Sequence, residues 1–412
     1  MSAIALRRLA AMCMLAVIVL MSAEDAEGCT SVIVSGKVTK DGRPLMWKNR
    51  DTGAKENLVK YFPARDGFHS YVGIASTDRN ARSVWIGTNR TGFSIMNTVS
   101  YNIKDIADED KENDNAWIMT MALQRCSSVQ DFKNLLDTLP RPLKASANYG
   151  VIDAQGGGAY FEVNFTEYFM FDVNDPAAAP DGYLVRSNYS LNGRPVEEGH
   201  GHVRWIEADR QVRMALDKKD MTSEYVLENM ARDYCNPVLG TDCRSRSYSG
   251  EWALEHDIIT RYKTTCSVCI QGVRPDEDPS MTTMWTIVGY PGTTPAMPVW
   301  EAAGEEGLPQ MLKAGNDGRS PLAHHGYILK EKVYSWNMDN LGENKYFHWS
   351  MLSNKKGTGY LQKTMSVEKE ILAPYRKGLR HWRKEGRPDI GEIKMLNETA
   401  DRRLWKFIEE TV

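Results

Sequence analysis

Residues 26–36 read Ala26-Glu27-Gly28-Cys29-Thr30-Ser31-Val32-Ile33-Val34-Ser35-Gly36, a cysteine set between a small-residue run and a strand-like one. Upstream, Arg7 and Arg8 precede an apolar run at 9–21, which passes into the small or polar SAEDAEG. Positive charge, then an apolar stretch, then small residues is the order of an export leader. The apolar run is shorter than the ~20 residues a membrane-crossing helix needs, and no later segment reaches that length. Ala26 and Gly28 stand third-last and last before Cys29, so cleavage there would make Cys29 the mature N-terminus. A cut after Ala23 would leave residues 24–28 for later removal, by self-processing. The competing reading is a lipoprotein of binding function with lipidated Cys29; Asp25, Glu27 and the distance from the apolar run weigh against it. The expected location is periplasmic or extracellular, with no integral membrane span.

The remainder is globular by composition, with 412 residues of which 42% are hydrophobic and 25% charged. A formal net charge of -3 and no dense Lys/Arg run leave no footprint for nucleic acid. A homo-oligomer is compatible with this composition. Cysteines follow the leader at positions 29, 126, 235, 243, 266 and 269. Cys235 and Cys243 bracket the turn-like NPVLGTD and form the expected bridge. Cys266-Ser-Val-Cys269 has zinc or redox spacing, but it lies in the β-like TTCSVCIQG with no second pair or nearby His, so it reads as a packed strand. The His residues are scattered without metal-ligand spacing. No metal and no organic cofactor are expected.

Strand-like runs recur at 30–34, 45–48, 83–87, 93–98, 149–152, 159–163, 168–171, 183–186, 267–271 and 283–288. Helices fit 117–125, 203–216 and 223–234, and a helix starting at the capping-box-like Ser128-Val-Gln-Asp131 places Phe132, Leu135, Leu136 and Leu139 at helical spacing. Beyond residue 300 the composition changes to a loop-like 304–321 and charged helices at 367–384 and 390–410. Strands, helices, strands and then helices argue for an α+β layered fold over a regularly alternating parallel sheet. The expected organisation is a leader or pro-segment at 1–28, a catalytic domain at 29–300 and a helical extension at 301–412 packed on it.

With Cys29 at the N-terminus, thiol and α-amine share one residue, with reference pKa values of ~8.5 and ~7.7–8.0. The amine can take the thiol's proton and later deliver one to a departing amine, so no catalytic His is required. Such a base needs an acceptor for its ammonium form and a donor for the oxyanion. Asp41-Gly42 is a turn signal between two strand-like runs, which brings Asp51 of Lys48-Asn49-Arg50-Asp51 toward Cys29 on an antiparallel neighbour.

Further pieces follow in order: Trp85-Ile-Gly to Gly92-Phe-Ser-Ile-Met-Asn97, Asn148-Tyr-Gly-Val-Ile-Asp153, Leu184-Val-Arg-Ser-Asn188-Tyr189, Arg204-Trp205, and Cys266-Ser-Val-Cys-Ile with Thr283-Met-Trp285. In these pieces the chain resembles the N-terminal-nucleophile (Ntn) hydrolases related to choloylglycine hydrolase, penicillin V acylase and acyl-CoA:6-aminopenicillanate acyltransferase. The resemblance spans roughly 29–300. It implies a four-layer αββα sandwich of two antiparallel sheets. It implies Cys29 as nucleophile and base, Asp51 holding the α-amine, Asn188 helping to form the oxyanion hole and Arg204 steadying the nucleophile's surroundings. Lys48, Arg50, Asn97 and Asn148 are the expected substrate-side residues. Lys48 departs from the bile-salt hydrolase pattern, which has Arg there, and KNRD with GFSIMN is more similar to the acyltransferase-type branch. The implied activity is hydrolysis of a linear amide C–N bond through an acyl-thioester, with acyl transfer where an amine replaces water; the implied partner is a small acyl amide. An exported dipeptidase of the same fold is the runner-up.

Taken singly, these residues have plainer readings: Asn188 as a turn cap, Arg204 on a salt-bridged helix face, Asn97 and Asn148 as strand-end caps. Trp85, Trp117, Trp285 and Trp300 read as core.

Overall fold

The computed structural model describes residues 28–77, 83–105, 107, 113–245, 248–335 and 346–411. Residues 1–27, all but the last residue of the expected leader or pro-segment at 1–28, lie outside the described residues. Strands, numbered in chain order, form two large antiparallel sheets. The first contains β1 (Cys29–Val34), β2 (Leu45–Asp51), β10 (Tyr183–Arg186), β14 (Thr264–Gln271), β15 (Thr283–Ile287) and β16 (Met297–Val299), in the order β10-β1-β2-β14-β15-β16. The second is a meander of β3 (Asn57–Phe62), β4 (Tyr71–Ser76), β5 (Ile86–Asn89), β6 (Ser94–Val99), β7 (Ala147–Ile152), β8 (Gly158–Val163) and β9 (Tyr168–Asp172). Two small ribbons, β11 (Cys235–Asn236) with β12 (Thr241–Asp242) and β13 (Trp252–Leu254) with β17 (Tyr346–His348), complete the pairing among the described residues.

The sheets pack face to face. Successive side chains of a strand point to opposite faces, and both faces of β1 are buried. Ile33 lies against Gly150 and Gly158 of the second sheet, and Ser31 accepts a 2.7 Å hydrogen bond from Tyr160 there. Cys29 shares that parity. The opposite face meets α3 (His202–Asp217), and the short α4 (Ser223–Tyr225), continuing into a π-helical turn at Val226–Met230, joins the same core. The second sheet's outer face is covered by α1 (Asn115–Arg125) and α2 (Val129–Thr138), through Ile118, Leu123, Phe132 and Leu136. The result is the expected αββα sandwich.

Beyond residue 300, α5 (Pro321–Val333), α6 (Tyr360–Glu385) and α7 (Ile390–Thr411) lie against the first sheet's side. Val367, Ile371, Trp382, Leu404 and Phe407 belong to the same buried cluster as Trp47, Trp285 and Trp300. Charged residues mark α6 and α7 as surface helices in the sequence, yet each buries one apolar stripe, and α5 carries no sequence expectation.

Several local expectations need correction. β3 and β4 were not foreseen, because Lys60 and Gly73 interrupt their patterns. Gly73 is there for close approach, since a Cβ would come within 2.2 Å of Val84. The helix expected over 223–234 ends earlier, in the π-helical turn. Cys235 and Cys243 are free thiols; Cys235 pairs with Asp242 in the ribbon ladder, which leaves Cys243 on the other side of the strand. Trp117 is 44% exposed and is not core.

Trp382 is 1% exposed, packs edge-on against Trp300 at 5.4 Å and donates to Glu392. Trp382→Ala is expected to cost about 3–5 kcal/mol. Urea unfolding followed by tryptophan fluorescence and by far-UV circular dichroism should show one coincident transition at a lower midpoint.

Candidate active site

β1 begins at Cys29, paired with Arg50 of β2, which in turn pairs with Cys266 of β14. These three side chains form a row on the intersheet face, with Lys48 one step along β2. Two strand spacings of about 4.8 Å separate Cys29 from Cys266, too far for a disulfide. Burial pushes the Cys266 thiol up to about 11.

Lys48 is 2% exposed, and its Nζ donates to Asn97 Oδ1 at 2.9 Å and Trp85 O at 3.1 Å. Burial drives its ammonium below the usual lysine range, and negative charge on the neighbouring Cys29 sulfur opposes that. Asn97 Nδ2 donates to none of the described residues. Arg50 donates to Asn57 Oδ1 at 2.7 Å and lies 4.7 Å from the centre of the Trp85 ring. Lys48, Arg50 and Asn97 are thus brought together beside the cysteine.

On the backbone side of Cys29 a second cluster forms. Its N–H donates to Asn188 Oδ1 at 2.9 Å, and its carbonyl accepts from Arg204 at 2.8 Å. Arg204, 1% exposed, also donates to Asn188 Oδ1 at 2.9 Å, Thr30 Oγ1 at 3.1 Å and Asp257 Oδ1 at 2.7 Å. Asn188 Nδ2 donates to Val99 O at 2.8 Å, so its amide is committed to holding the Cys29 nitrogen and β6 together. Asn148 has its side-chain amide committed elsewhere. It braces the Asn188 turn, donating to Ser187 O and Tyr189 O and accepting from Ser190.

Asp51 stands opposite Gly28, whose carbonyl accepts the Asp51 N–H at 2.8 Å. The Asp51 carboxylate accepts from Arg261 Nε at 2.6 Å and Thr264 Oγ1 at 2.7 Å. Its contact with the Cys29 nitrogen therefore runs through the 28–29 backbone and Arg261. The guanidinium of Arg261 lies close to Gly28, so a Cβ there would come within 2.0 Å of it and force it to shift.

Arg261, Asp257 and Thr264 were missed from the sequence. RYKTT looks like any polar loop, and only the ladder placing Thr264 beside Asp51 brings it to the site. Burial opposes charge on Asp257, but Arg204 and Arg261 hold its carboxyl below the usual range.

No protein-family model matches this chain, and no curated protein matches it in sequence. Solved structures match it in fold. An ortholog of N-acylethanolamine-hydrolyzing acid amidase from Caenorhabditis elegans is 16% identical, covering 59% of this chain and 92% of its own, with a TM-score of 0.41. A mutant of the conjugated bile acid hydrolase from Clostridium perfringens is 15% identical, covering 66% of this chain and 92% of its own, with a TM-score of 0.39. Penicillin V acylase from Agrobacterium tumefaciens is 10% identical, covering 66% of this chain and 85% of its own, with a TM-score of 0.37.

Two outcomes test this geometry. Arg204→Met leaves Asp257 without its direct ion pair and Asn188 with one donor fewer, and should destabilise the protein by about 3–5 kcal/mol in urea titrations. Glu255, whose Oε2 accepts the Tyr262 N–H at 2.7 Å, is pushed up by burial from 4.5 to about 7. The folded state then holds more protons than the unfolded one between those values, so stability falls as pH rises through that window. Glu255→Gln should lose this slope, roughly 3 kcal/mol between pH 4.5 and 7.

Proposed function

We propose that the mature chain begins at Cys29 and hydrolyses the C–N bond of a linear amide through an acyl-thioester. The observation that carries this reading is the placement of Cys29: its thiol is on the row with Lys48 and Arg50, and its nitrogen is held by Asn188 within the Arg204 cluster. Removal of Gly28 turns that nitrogen into an α-amine without moving its acceptor. The amine takes the thiol proton, the thiolate attacks the amide carbon, and the protonated amine delivers the proton to the leaving nitrogen. Water then repeats the cycle on the thioester, and a second amine in its place gives acyl transfer.

The oxyanion needs a preorganised donor. Among the described residues Asn97 Nδ2 is a donor left open for that task, since Lys48 holds the Asn97 oxygen and Asn188 Nδ2 is engaged by Val99. Asp51 acts by fixing Arg261 beside the N-terminal backbone. No step calls on a metal or organic cofactor.

The leader order supports export to the periplasm or beyond. Among the described residues no helix is long and apolar enough to cross a membrane.

The test joins N-terminal sequencing of the exported protein with assays on acyl amides and on dipeptides. A free Cys29 start with acyl-amide turnover is expected; a lipidated Cys29 or a start well upstream would overturn the mechanism, and turnover of dipeptides alone would make it a dipeptidase. Cys29→Ser should lower kcat at least 100-fold and Asp51→Asn roughly 10- to 100-fold, on the scale of losing a nucleophile or its alignment. Wild-type turnover in Asp51→Asn would remove Asp51 from the mechanism.

A further inference from the structure

Arg261 reaches Asp51 from a loop between β13 and β14, and its placement depends on what holds that loop. The next residue, Tyr262, is gripped at every group it offers. Its N–H donates to Glu255 at 2.7 Å, and its carbonyl accepts from Lys330 Nζ at 3.0 Å. Its ring lies 4.4 Å from that same ammonium and packs at 5.1 Å, edge-on, against Tyr334. Its hydroxyl donates to Glu331 at 2.8 Å. Lys330 and Glu331 are on α5, and Tyr334 immediately follows it.

Lys330 is 3% exposed, so its charge is taken out of water in order to make these contacts. A buried ammonium serving a loop carbonyl and a ring is a costly way to decorate a surface. It is an effective way to fix one backbone position. The packed and bonded Tyr262 in turn fixes the Cα of Arg261, and Thr264 on its far side is fixed by Asp51 and by its own N–H to the Arg261 carbonyl.

We propose that α5 of the C-terminal region is a positioning element for the active site, with Lys330 as its principal positioning residue, holding Tyr262 so that Arg261 stays on Asp51 beside the Cys29 backbone. This rests on the reading of Cys29 as nucleophile. It assigns part of the region beyond residue 300 a task in catalysis as well as in packing. Lys330 touches neither substrate nor reacting atoms and acts only through Arg261.

The experiment is a double-mutant cycle on the mature full-length enzyme, with Lys330→Met, Arg261→Met and both together. Lys330→Met should lower kcat roughly 10- to 100-fold, the scale of a small misplacement in a catalytic array, with KM within about twofold. In the Arg261→Met background it should cost less than about threefold more, because the two act in series. Lys330→Arg, which keeps the charge and the donor, should recover most of the rate. Unchanged kcat in Lys330→Met, or full additivity with Arg261→Met, would overturn the proposal.

A second readout separates this from failure of the amidase reading. Iodoacetamide alkylation of Cys29 at pH 7, followed by peptide mapping, needs no substrate. The other thiols are pushed up by burial, Cys126, Cys235 and Cys243 to about 12, and stay protonated there. Absence of amide turnover in the wild type with parallel slowing of alkylation in Lys330→Met and Arg261→Met would sink the amidase reading and sustain the positioning one. Slowing in Arg261→Met alone would sink the positioning role. Should Lys330→Met fail to fold, Tyr262→Phe, which removes only the hydroxyl bond to Glu331, is expected to lower kcat by about two- to fivefold, on the scale of one hydrogen bond, and unchanged kcat there would count against the proposal.

Discussion

A guanidinium removed from water must find acceptors, and Arg204 at 1% exposure finds them on separate stretches of chain. It joins the Cys29 carbonyl, the Asn188 side chain and Asp257. Desolvation makes each of these contacts obligatory, since one lost partner leaves a buried charge or carbonyl unmatched. The start of β1, the turn after β10 and the loop before β14 are thereby drawn to one point at the end of the first sheet. Neighbouring Arg261 does the same for Asp51.

Around that junction the two faces of β1 have different chemistry. Alternation sends the Cys29 thiol into the intersheet layer with Lys48, Arg50 and Asn97, while its backbone nitrogen and carbonyl meet Asn188 and Arg204. The thiol is therefore next to groups suited to developing negative charge, and the nitrogen next to an acceptor. The buried polar groups behind the Asn188 turn hold it from below: Asn148 takes its carbonyls, and Glu162 binds both Arg186 at 2.9 Å and the amides of Leu191 and Asn192. Such a network is stabilising only when nearly every member is satisfied.

The helices beyond residue 300 share this core. Trp382, Leu404 and Phe407 pack in the same cluster as Trp47 and Trp285, so the charged faces that mark α6 and α7 in the sequence are only their outer faces. Through Lys330 and Tyr262 the same region reaches the loop of Arg261.

The strand that Cys29 opens, the antiparallel return to Asp51 and the layered α+β character were legible in the residues, because alternation and turn chemistry act over short stretches of chain. Asn188 and Arg204 could be singled out only through motif resemblance, and their partners could not be read at all. Arg261 is 210 residues from Asp51, and RYKTT carries no periodicity that sets it apart from a solvated loop. Likewise Gly73 reads as a strand breaker until Val84 is seen occupying the place of its Cβ. Local sequence determined which elements form and which way their side chains alternate. Tertiary structure decided which buried charges meet, because that depends on sheet order and on desolvation, and neither is written in any one segment.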